Sequence, residues 1–388
     1  MKEIYVDHNA TTCVKKEILE EMLPYFNEKY GNASSSYKKG RESRKAIDIA
    51  RNKIATAIVA NEDEIYFTAS GSEANNLIIK GILYANKQKG NHIITSKIEH
   101  PSVLNTCKSL EKEGYEITYL SVNEKGFINV DELNRAIKKN TVLVSIMYAN
   151  NEIGVVQNIN EISKVTRFKN VIFHTDAVQA VGSEIINVGI QGIDALSMSA
   201  HKFYGPKGIG VAYIKRGIKF NSIITGGHQE KSKRAGTENV PAIVGMGKAI
   251  EMAYSNLEEN NNKLLKLRNY TIDRILTEIP HTQLNGDREN RLSGNLNISI
   301  KGVEGEALLL MLDMKGIYAS SGSACISGSL DPSHVLLAIG LKHEIAHGSL
   351  RISYGTENTI EDAEYIVDNL KSIVERLREI SPLDPEKI

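Results

Sequence analysis

The chain has 388 residues, of which 41% are hydrophobic and 24% charged, and its 47 basic residues balance 47 acidic ones. These proportions are typical of a folded globular protein with room for two domains. A net charge of zero argues against nucleic acid or an anionic membrane as a partner. No run approaches the roughly 18 apolar residues that span a bilayer.

The N-terminal sequence MKEIYVDHNATT lacks the apolar core of a signal peptide, so we expect a cytosolic protein. The three cysteines, Cys13, Cys107 and Cys325, are odd in number and widely spaced. This pattern suits neither a disulfide framework nor a zinc site. Each cysteine is therefore interpreted as a separate thiol.

Short apolar runs alternate with amphipathic helical stretches in the first half of the chain, which predicts an α/β sheet covered by helices on both faces. The strand candidates are EIYFTA, NHIITS, YEITYL, TVLVSIMYA, VIFHTD, DALSMSA and GIGVAYI. After Pro241 a helical pattern continues through residues 251–276, and the strand candidates NLNISI and SLRISY then alternate with helical segments. No linker rich in Pro, Gly or Ser is present, so we expect this one long helix to join two domains directly.

The motif TASGSEANN places Gly71 and Ser72 between a predicted strand and a predicted helix. Backbone N–H groups at a helix N-terminus bind phosphate, and glycine lets the phosphate approach closely. Ser72 can add its hydroxyl group. Taken alone, the segment favours a plainer interpretation, in which Ser70 or Ser72 only caps the helix.

Two further motifs lie at the ends of predicted strands, where open α/β sheets bind ligands. In SMSAHKFYGPKG, Lys202 suits a Schiff-base lysine, with Ser199 and His201 available to a phosphate, although such a lysine is more often structural or exposed. In FHTDAVQA, Asp176 could keep a pyridine nitrogen protonated and Gln179 could donate to a phenolic oxygen. Asp176 could equally cap a helix.

His100 in KIEHPSV, Asn151 in YANNEIG and Arg351 in SLRISY are further candidates. His100 could lie on an aromatic ring or move protons, although a loop histidine is commonly a surface residue. Asn150 and Asn151 could both be turn formers. The guanidinium of Arg351 could bind a carboxylate with two hydrogen bonds, or could form a surface ion pair.

Cys325 lies among small residues in YASSGSACISGSLDPSHVLLAIG, which we expect to be a mobile, exposed loop. Such a thiol could attack at one place and deliver at another. Cys107 lies in a helical pattern and Cys13 in an N-terminal turn, and neither is a strong candidate nucleophile. A second turn-rich segment, GGHQEKSKRAGTENV, could close over a phosphate or a neighbouring subunit through Gly226, Gly227, Arg234 and Thr237.

The segments YVDHNATT, EHPSVL, NNEIGVVQ, HTDAVQA, SAHKFYGPKG, RAGTENV and SSGSACISGSLDPSHVL, in this order, resemble the cysteine desulfurases of the class V aminotransferase-like, fold-type I pyridoxal-phosphate (PLP) enzymes. The resemblance covers nearly the whole chain. It implies a large PLP-binding domain at residues 15–258, with a seven-stranded, mainly parallel sheet covered by helices. It also implies a smaller α+β domain, formed by residues 1–14 and 259–388, that carries the cysteine loop.

The resemblance implies a homodimer that converts L-cysteine into L-alanine and a persulfide on Cys325. It implies that Lys202 holds the cofactor and acts as a base, that His100 stacks on the ring, and that Asn151 and Arg351 bind the substrate carboxylate. We expect Cys325, Lys202 and His100 to be the catalytic residues, with His100 as a proton acceptor that helps Cys325 to become a thiolate. The other residues that it implies at the cofactor are Gly71, Ser72, Asp176, Gln179, Ser199, His201 and, from the other subunit, Thr237. Asn151 is also expected to contact the cofactor.

The long cysteine loop resembles the first group of the family, linked to iron–sulfur cluster assembly. We therefore expect a scaffold or another sulfur-acceptor protein as partner and no resident metal, with Cys325 able to contact a cluster during transfer. Two features depart from the family: His228 in GGHQE stands where glycine is expected, and SPLDPEKI lacks a tail for scaffold docking. The alternatives are a related aminotransferase or selenocysteine lyase, and a non-catalytic sulfur-relay protein; SSGSAC argues against the aminotransferase.

Overall fold

The computed structural model describes residues 2–321, 332–382 and 385–386. The strands are β1 (Ile4–Tyr5), β2 (Ile65–Thr68), β3 (His92–Ser96), β4 (Glu116–Leu120), β5 (Thr141–Ser145), β6 (Ile172–Asp176), β7 (Ala195–Ser199), β8 (Gly210–Ile214), β9 (Thr282–Leu284), β10 (Asn295–Ile300), β11 (Ile317–Tyr318) and β12 (Ser349–Ser353). The helices are α1 (Lys16–Met22), α2 (Pro24–Asn27), α3 (Lys38–Ala57), α4 (Gly71–Ala85), α5 (Pro101–Lys112), α6 (Val130–Ala136), α7 (Ile159–Phe168), α8 (Gln229–Ser232), α9 (Val240–Ser255), α10 (Leu257–Glu278), α11 (Gly305–Asp313), α12 (His334–Ala338), α13 (His343–His347) and α14 (Ile360–Ile380).

The seven strand candidates of the first half form one sheet in the order β2-β8-β7-β6-β5-β3-β4. The pairs from β4 to β7 are parallel, and β8 pairs antiparallel with both β7 and β2. The prediction of a mainly parallel α/β sheet is therefore confirmed. All five residues of β5, β7 and β8 are buried, and β5 (TVLVS) and β8 (GVAYI) are accordingly rich in apolar residues.

Helices cover both faces of this sheet. On one face, α3 packs against α9, and their apolar side chains join Phe173 and Met198 of the sheet in one core. On the other face, α4 packs on β7, β8 and α5, and Ile78 and Ile82 meet Ile93 and Leu143. The central strands are thus shielded from solvent on both faces, and polar side chains such as Asp176 and Ser199 lie at the strand ends.

A second apolar core surrounds the three-stranded sheet β9-β10-β12, with α10, α11 and α14 packed beside it. The N-terminal strand β1 pairs with β11, and Ile4 and Val6 are buried in this second core. The predicted division into residues 15–258 and residues 1–14 with 259–388 stays a prediction. No helix within the described ranges combines the length and the apolar character that crossing a membrane requires.

The prediction of one long helix after Pro241 is wrong. Two helices, α9 and α10, meet at Asn256, whose φ of −117° and ψ of 16° are not helical. The side-chain amide of Asn256 donates to the main-chain oxygen of Met252 at 3.2 Å. Asparagine competes in this way for backbone groups that the helix would otherwise use, so it ends α9 despite the helical polarity pattern around it.

Candidate active site

A cavity of about 690 Å³ lies at the carboxyl ends of the parallel strands. His100 follows β3, Asn151 follows β5, Asp176 ends β6 and Ser199 ends β7. These residues come together because parallel strands have their carboxyl ends at one edge of the sheet. Arg351 enters from β12 of the smaller sheet. The sequence-predicted residues that line the cavity are Gly71, Ser72, His100, Asn151, Asp176, Gln179, Ser199, His201, Lys202 and Arg351.

The N-terminus of α4 forms one wall of the cavity. Ser70 caps this helix by accepting a hydrogen bond from the backbone N–H of Glu73 at 3.1 Å. Gly71 and Ser72 follow in the first turn and line the cavity. A Cβ atom on Gly71 would lie only 2.7 Å from Cγ2 of Val178, so the wall tolerates no side chain there. Ser70 can thus cap the helix while the backbone N–H groups of the first turn remain available to an anion in the cavity.

Lys202 ends a single 3-10 turn, Ala200–Lys202, that follows β7. Its amine donates to the main-chain oxygens of Asn9 and of Ala10, the latter at 2.9 Å. Burial lowers the pKa of Lys202 to about 8, and the positive charge of Arg351 acts in the same direction. This lowered pKa brings the amine closer to the neutral form that a Schiff-base lysine requires.

Asp176 is buried at the end of β6 and faces α4. Its Oδ2 accepts from the side-chain amide of Asn75 at 2.7 Å, and its Oδ1 accepts from the backbone N–H of Val178 at 3.0 Å. Val178 lies in a turn, so Asp176 does not cap a helix. The nearby Gln179 donates its side-chain amide to the main-chain oxygen of Asn9 at 2.8 Å.

The two histidines of the cavity differ in their partners. The Nδ1 atom of His100 accepts from the backbone N–H of Ser102 at 3.1 Å, and His100 caps α5 through this bond. Burial lowers the pKa of His100, and Lys202 adds to this effect. In His201, Nδ1 lies 3.1 Å from Oγ1 of Thr11, and burial lowers the pKa to about 4. Both rings are thus neutral near pH 7.

Arg351 forms a buried ion pair rather than one on the surface. One guanidinium nitrogen lies 2.6 Å from Oδ1 of Asp7, and another donates to the main-chain oxygen of Asn151 at 3.2 Å. The Nε atom is buried and has no hydrogen-bond partner in the part of the chain that the structure describes. Asn150 is the turn former of this segment, since its Oδ1 accepts from the backbone N–H groups of Glu152 and Ile153, both at 2.9 Å.

Several predicted residues do not line the cavity. Thr237 and His228 are exposed, and Nδ1 of His228 lies 3.1 Å from Oγ of Ser232. Arg234 instead pairs with Glu73 on α4, at 2.7 and 3.2 Å, and so fastens its segment beside the helix N-terminus. Gly226 and Gly227 are likewise absent from the lining.

The three cysteines have different positions. Cys325 lies outside the described residues. Cys107 is buried in α5, where burial raises its pKa to about 12, and this confirms the prediction that it is packed. Cys13 is exposed. Across the described ranges, no group of three or more His, Cys, Asp or Glu side chains is placed to hold a metal ion.

Polar residues near the site that received no role from the sequence include Asp7, Asn9, Asn75, Ser102 and Glu152. All but Asp7 line the cavity, and Asp7 reaches it through its pair with Arg351. Asp7 and Asn9 lie within YVDHNATT, a conspicuously polar run directly after a strand. Asn75 lies four residues after Gly71, a spacing that puts both on one face of a helix. This spacing was the signal that could have identified Asn75.

Comparison with known proteins gives the class of this chain. Residues 4–366 match the family described as aminotransferase class-V. The match covers far more than half of the sequence, so the chain belongs to this family.

Relatives narrow the class further. The chain is 55% identical over 384 residues to a Clostridium botulinum protein named cysteine desulfurase IscS, covering 98% of this chain and 97% of the relative. A solved NifS-like protein superposes with a TM-score of 0.92 at 35% identity, covering 97% of this chain and all of that one. A structure of SspA in complex with cysteine gives a TM-score of 0.81 at 36% identity, over 92% of this chain and all of that one.

Proposed function

We propose that this protein is a PLP-dependent cysteine desulfurase, which removes sulfur from L-cysteine to give L-alanine and a persulfide on Cys325. The observation that carries the proposal is the meeting of three features in one cavity: a half-buried lysine amine with a lowered pKa, a buried carboxylate and a helix N-terminus. The relatives that share nearly the full length of the chain are named for the same activity.

The residues of the cavity fit PLP. The first turn of α4 carries Gly71 and Ser72 and offers N–H donors for a phosphate. A larger residue in place of Gly71 would crowd Val178. Ser199 and the neutral His201 add hydrogen-bonding groups to this lining. The Asp176 carboxylate suits a protonated pyridine nitrogen. A group with a phosphate, an aldehyde and a ring nitrogen matches this set of donors and acceptors.

Lys202 would hold the cofactor as a Schiff base, Gln179 and Asn151 would contact its ring substituents, and His100 would contact the ring itself. Bound there, PLP supplies an electron sink for the charge left when an amino acid loses its Cα proton. Lys202, when its amine is free, takes that proton, and its lowered pKa makes the amine a usable base near neutral pH. Asp176 would keep the ring nitrogen of the cofactor protonated.

Arg351 would bind the carboxylate of L-cysteine. Its guanidinium is already oriented by Asp7 and by the main-chain oxygen of Asn151, and its buried Nε lacks a partner within the described ranges. A buried donor without a partner is costly, so a ligand that accepts from it is favoured. A carboxylate has the geometry for this guanidinium.

Cys325 would receive the sulfur. Its thiolate attacks the sulfur of the bound cysteine, so that a sulfur–sulfur bond forms as the substrate Cβ–S bond breaks, and the carbon fragment leaves as alanine after protonation. The thiolate is the nucleophilic form of cysteine, and a free thiol has a pKa near 8.5. Cys107 is unsuited to this role because its raised pKa keeps it a thiol.

The persulfide would then pass to an acceptor protein for iron–sulfur cluster assembly or another sulfur-containing cofactor. We further propose a cytoplasmic homodimer in which Thr237 contacts the phosphate of the partner's cofactor. Its exposure within a single chain and its absence from the lining of this chain's cavity support that role. Arg234 would hold the segment in place through Glu73.

Incubation of the purified enzyme with L-cysteine and a thiol reductant tests the proposal. Alanine and sulfide should appear in equal amounts, and Cys325→Ala should stop both while leaving the visible absorbance of the bound cofactor. Cys107→Ala is the matched control and should retain activity. Pyruvate in place of alanine, or normal turnover by Cys325→Ala, would contradict the assignment.

A further inference from the structure

A continuous series of hydrogen bonds runs beneath the cavity and ends at His100. Its far end is His174 on β6, which is fully buried and has a pKa lowered to about 3 by burial, so its ring is neutral. A neutral imidazole has one donor and one acceptor nitrogen. Here Nδ1 lies 2.9 Å from Oγ of Ser145, and Nε2 lies 3.4 Å from Oγ of Ser197.

The next members are Ser197 and Asn75. The Nδ2 group of Asn75 lies 2.7 Å from Oδ2 of Asp176, and because an ionised carboxylate only accepts, this side of the amide must be the donor. Oδ1 of Asn75 is therefore the atom that accepts from the Ser197 hydroxyl, at 2.5 Å. The oxygen of Ser197 is then free to accept from Nε2 of His174, which leaves Nδ1 of that ring to accept from Ser145.

The series reaches the cavity through Ser102. The second N–H of the Asn75 amide donates to Oγ of Ser102 at 2.9 Å. The Ser102 hydroxyl hydrogen then points to Nδ1 of His100, 2.8 Å away, and the backbone N–H of Ser102 donates to the same atom at 3.1 Å. Two donors meet at Nδ1, so the proton of the neutral ring belongs on Nε2.

We propose that this directed series, with Asn75 and Ser102 as positioning residues, fixes His100 as the Nε2–H tautomer and makes it a hydrogen-bond donor to negative charge in the cavity. In this form His100 cannot accept a proton at Nε2, and a proton at Nδ1 would displace both donors. The group that deprotonates a thiol in the cavity is therefore not the resting His100 ring. A catalytic role for the Nε2–H of His100 rests on the proposed function, but the assignment of the tautomer does not.

Charged groups around His100 act on it independently of the series. Asp176 on β6 raises its pKa, whereas Lys202 after β7 and His334 on α12 lower it. None of these three groups changes when Ser102 is replaced. Ser102→Ala removes the hydroxyl donor to His100 together with the acceptor of one Asn75 N–H. It leaves Asp176 with its Asn75 partner, which Asn75→Ala would remove.

Long-range proton–nitrogen correlation NMR on the intact enzyme, labelled with ¹⁵N in its histidine rings, measures the tautomer and the pKa directly. The His100 signals are assigned by their absence in His100→Gln. We expect Nε2–H for His100 in the wild type. In Ser102→Ala the pKa of His100 should rise by roughly one pH unit, since one hydrogen bond to the neutral form is lost.

Ser102→Thr keeps the hydroxyl and should restore the wild-type pKa. Asn76→Ala is the matched control, because Asn76 lies beside Asn75 on α4 but takes no part in the series. Its side-chain oxygen accepts instead from the Thr106 hydroxyl at 3.0 Å. A wild-type ring protonated at Nδ1 would overturn the proposal, even if Ser102→Ala failed to fold. An unchanged His100 pKa in a folded Ser102→Ala variant would also overturn it. Neither readout needs turnover of L-cysteine, so failure of the proposed function would be seen separately.

Discussion

Replacement of Arg351 by alanine should raise the KM for L-cysteine strongly and leave kcat within a few-fold of the wild-type value. Arg351 is 7% exposed, lines the cavity and has a buried Nε without a partner among the described residues. Hydrogen bonds to charged groups contribute about 1.5–3 kcal/mol each, which corresponds to a rise in KM of roughly ten- to a hundredfold. Arg351→Lys keeps the charge but loses the planar fork, so an intermediate KM is expected.

Steady-state alanine production as a function of L-cysteine concentration provides the measurement. Asp7→Asn is the control, because it breaks the same ion pair at 2.6 Å but keeps the guanidinium. It should leave KM unchanged or lower it, since Asp7 no longer competes with the substrate carboxylate. If Arg351→Ala lowered kcat at an unchanged KM, or if Asp7→Asn matched its KM, the proposed binding of the substrate carboxylate by Arg351 would be wrong.

Three further predictions concern pKa values and stability. The Lys202 amine has a pKa of about 8, so capture of added PLP by cofactor-free protein should accelerate as the pH rises through this value, and Lys202→Ala should develop no Schiff-base absorbance. The Arg51–Glu230 pair is buried at 2.7 Å, so Arg51→Ala should lower the free energy of unfolding by about 3–5 kcal/mol. Burial raises the pKa of Glu99 from 4.5 to about 8, so the folded state favours the protonated acid. The free energy of unfolding should therefore fall as the pH rises from about 4.5 to about 8. Glu99→Gln should remove the share of this fall that comes from Glu99.

Each of these has its own control. PLP capture that does not depend on pH would show that the Lys202 amine is not the titrating group. Arg216→Ala breaks an exposed pair with Asp63 and should barely change the denaturant midpoint; an equal effect of Arg51→Ala would contradict the burial argument. For Glu99, the free energy of unfolding is measured by denaturant unfolding from acid to mildly alkaline pH. The same pH dependence in Glu99→Gln and in the wild type would refute the raised pKa.

The main sheet could be predicted because most of its strands are buried and rich in apolar residues, as in the run TVLVS of β5 and the run GVAYI of β8. The edge strand β4 is only partly buried. The break at Asn256 could not be predicted from polarity, because the helical pattern continues across it on both sides. A single side-chain hydrogen bond to Met252 accompanies the break, and such local competition leaves little trace in periodicity.

The candidate site was predictable to the extent that its residues follow strands. His100, Asp176 and Lys202 all lie at strand ends, and the sheet topology brings them to one edge. The pairing of Arg351 with Asp7 was not predictable, because the two residues lie 344 positions apart in the sequence. Residues such as Asn75 also have no charge to single them out.

The central claim is that sulfur from L-cysteine moves to Cys325, and single-turnover mass spectrometry tests it most directly. The enzyme is mixed with one equivalent of L-cysteine without reductant, quenched and digested, and each cysteine-containing peptide is weighed. The account predicts one added sulfur atom on the Cys325 peptide, with the Cys13 and Cys107 peptides unchanged and one alanine released per sulfur bound. Sulfur on another cysteine, or alanine release with no sulfur on Cys325, would contradict the account.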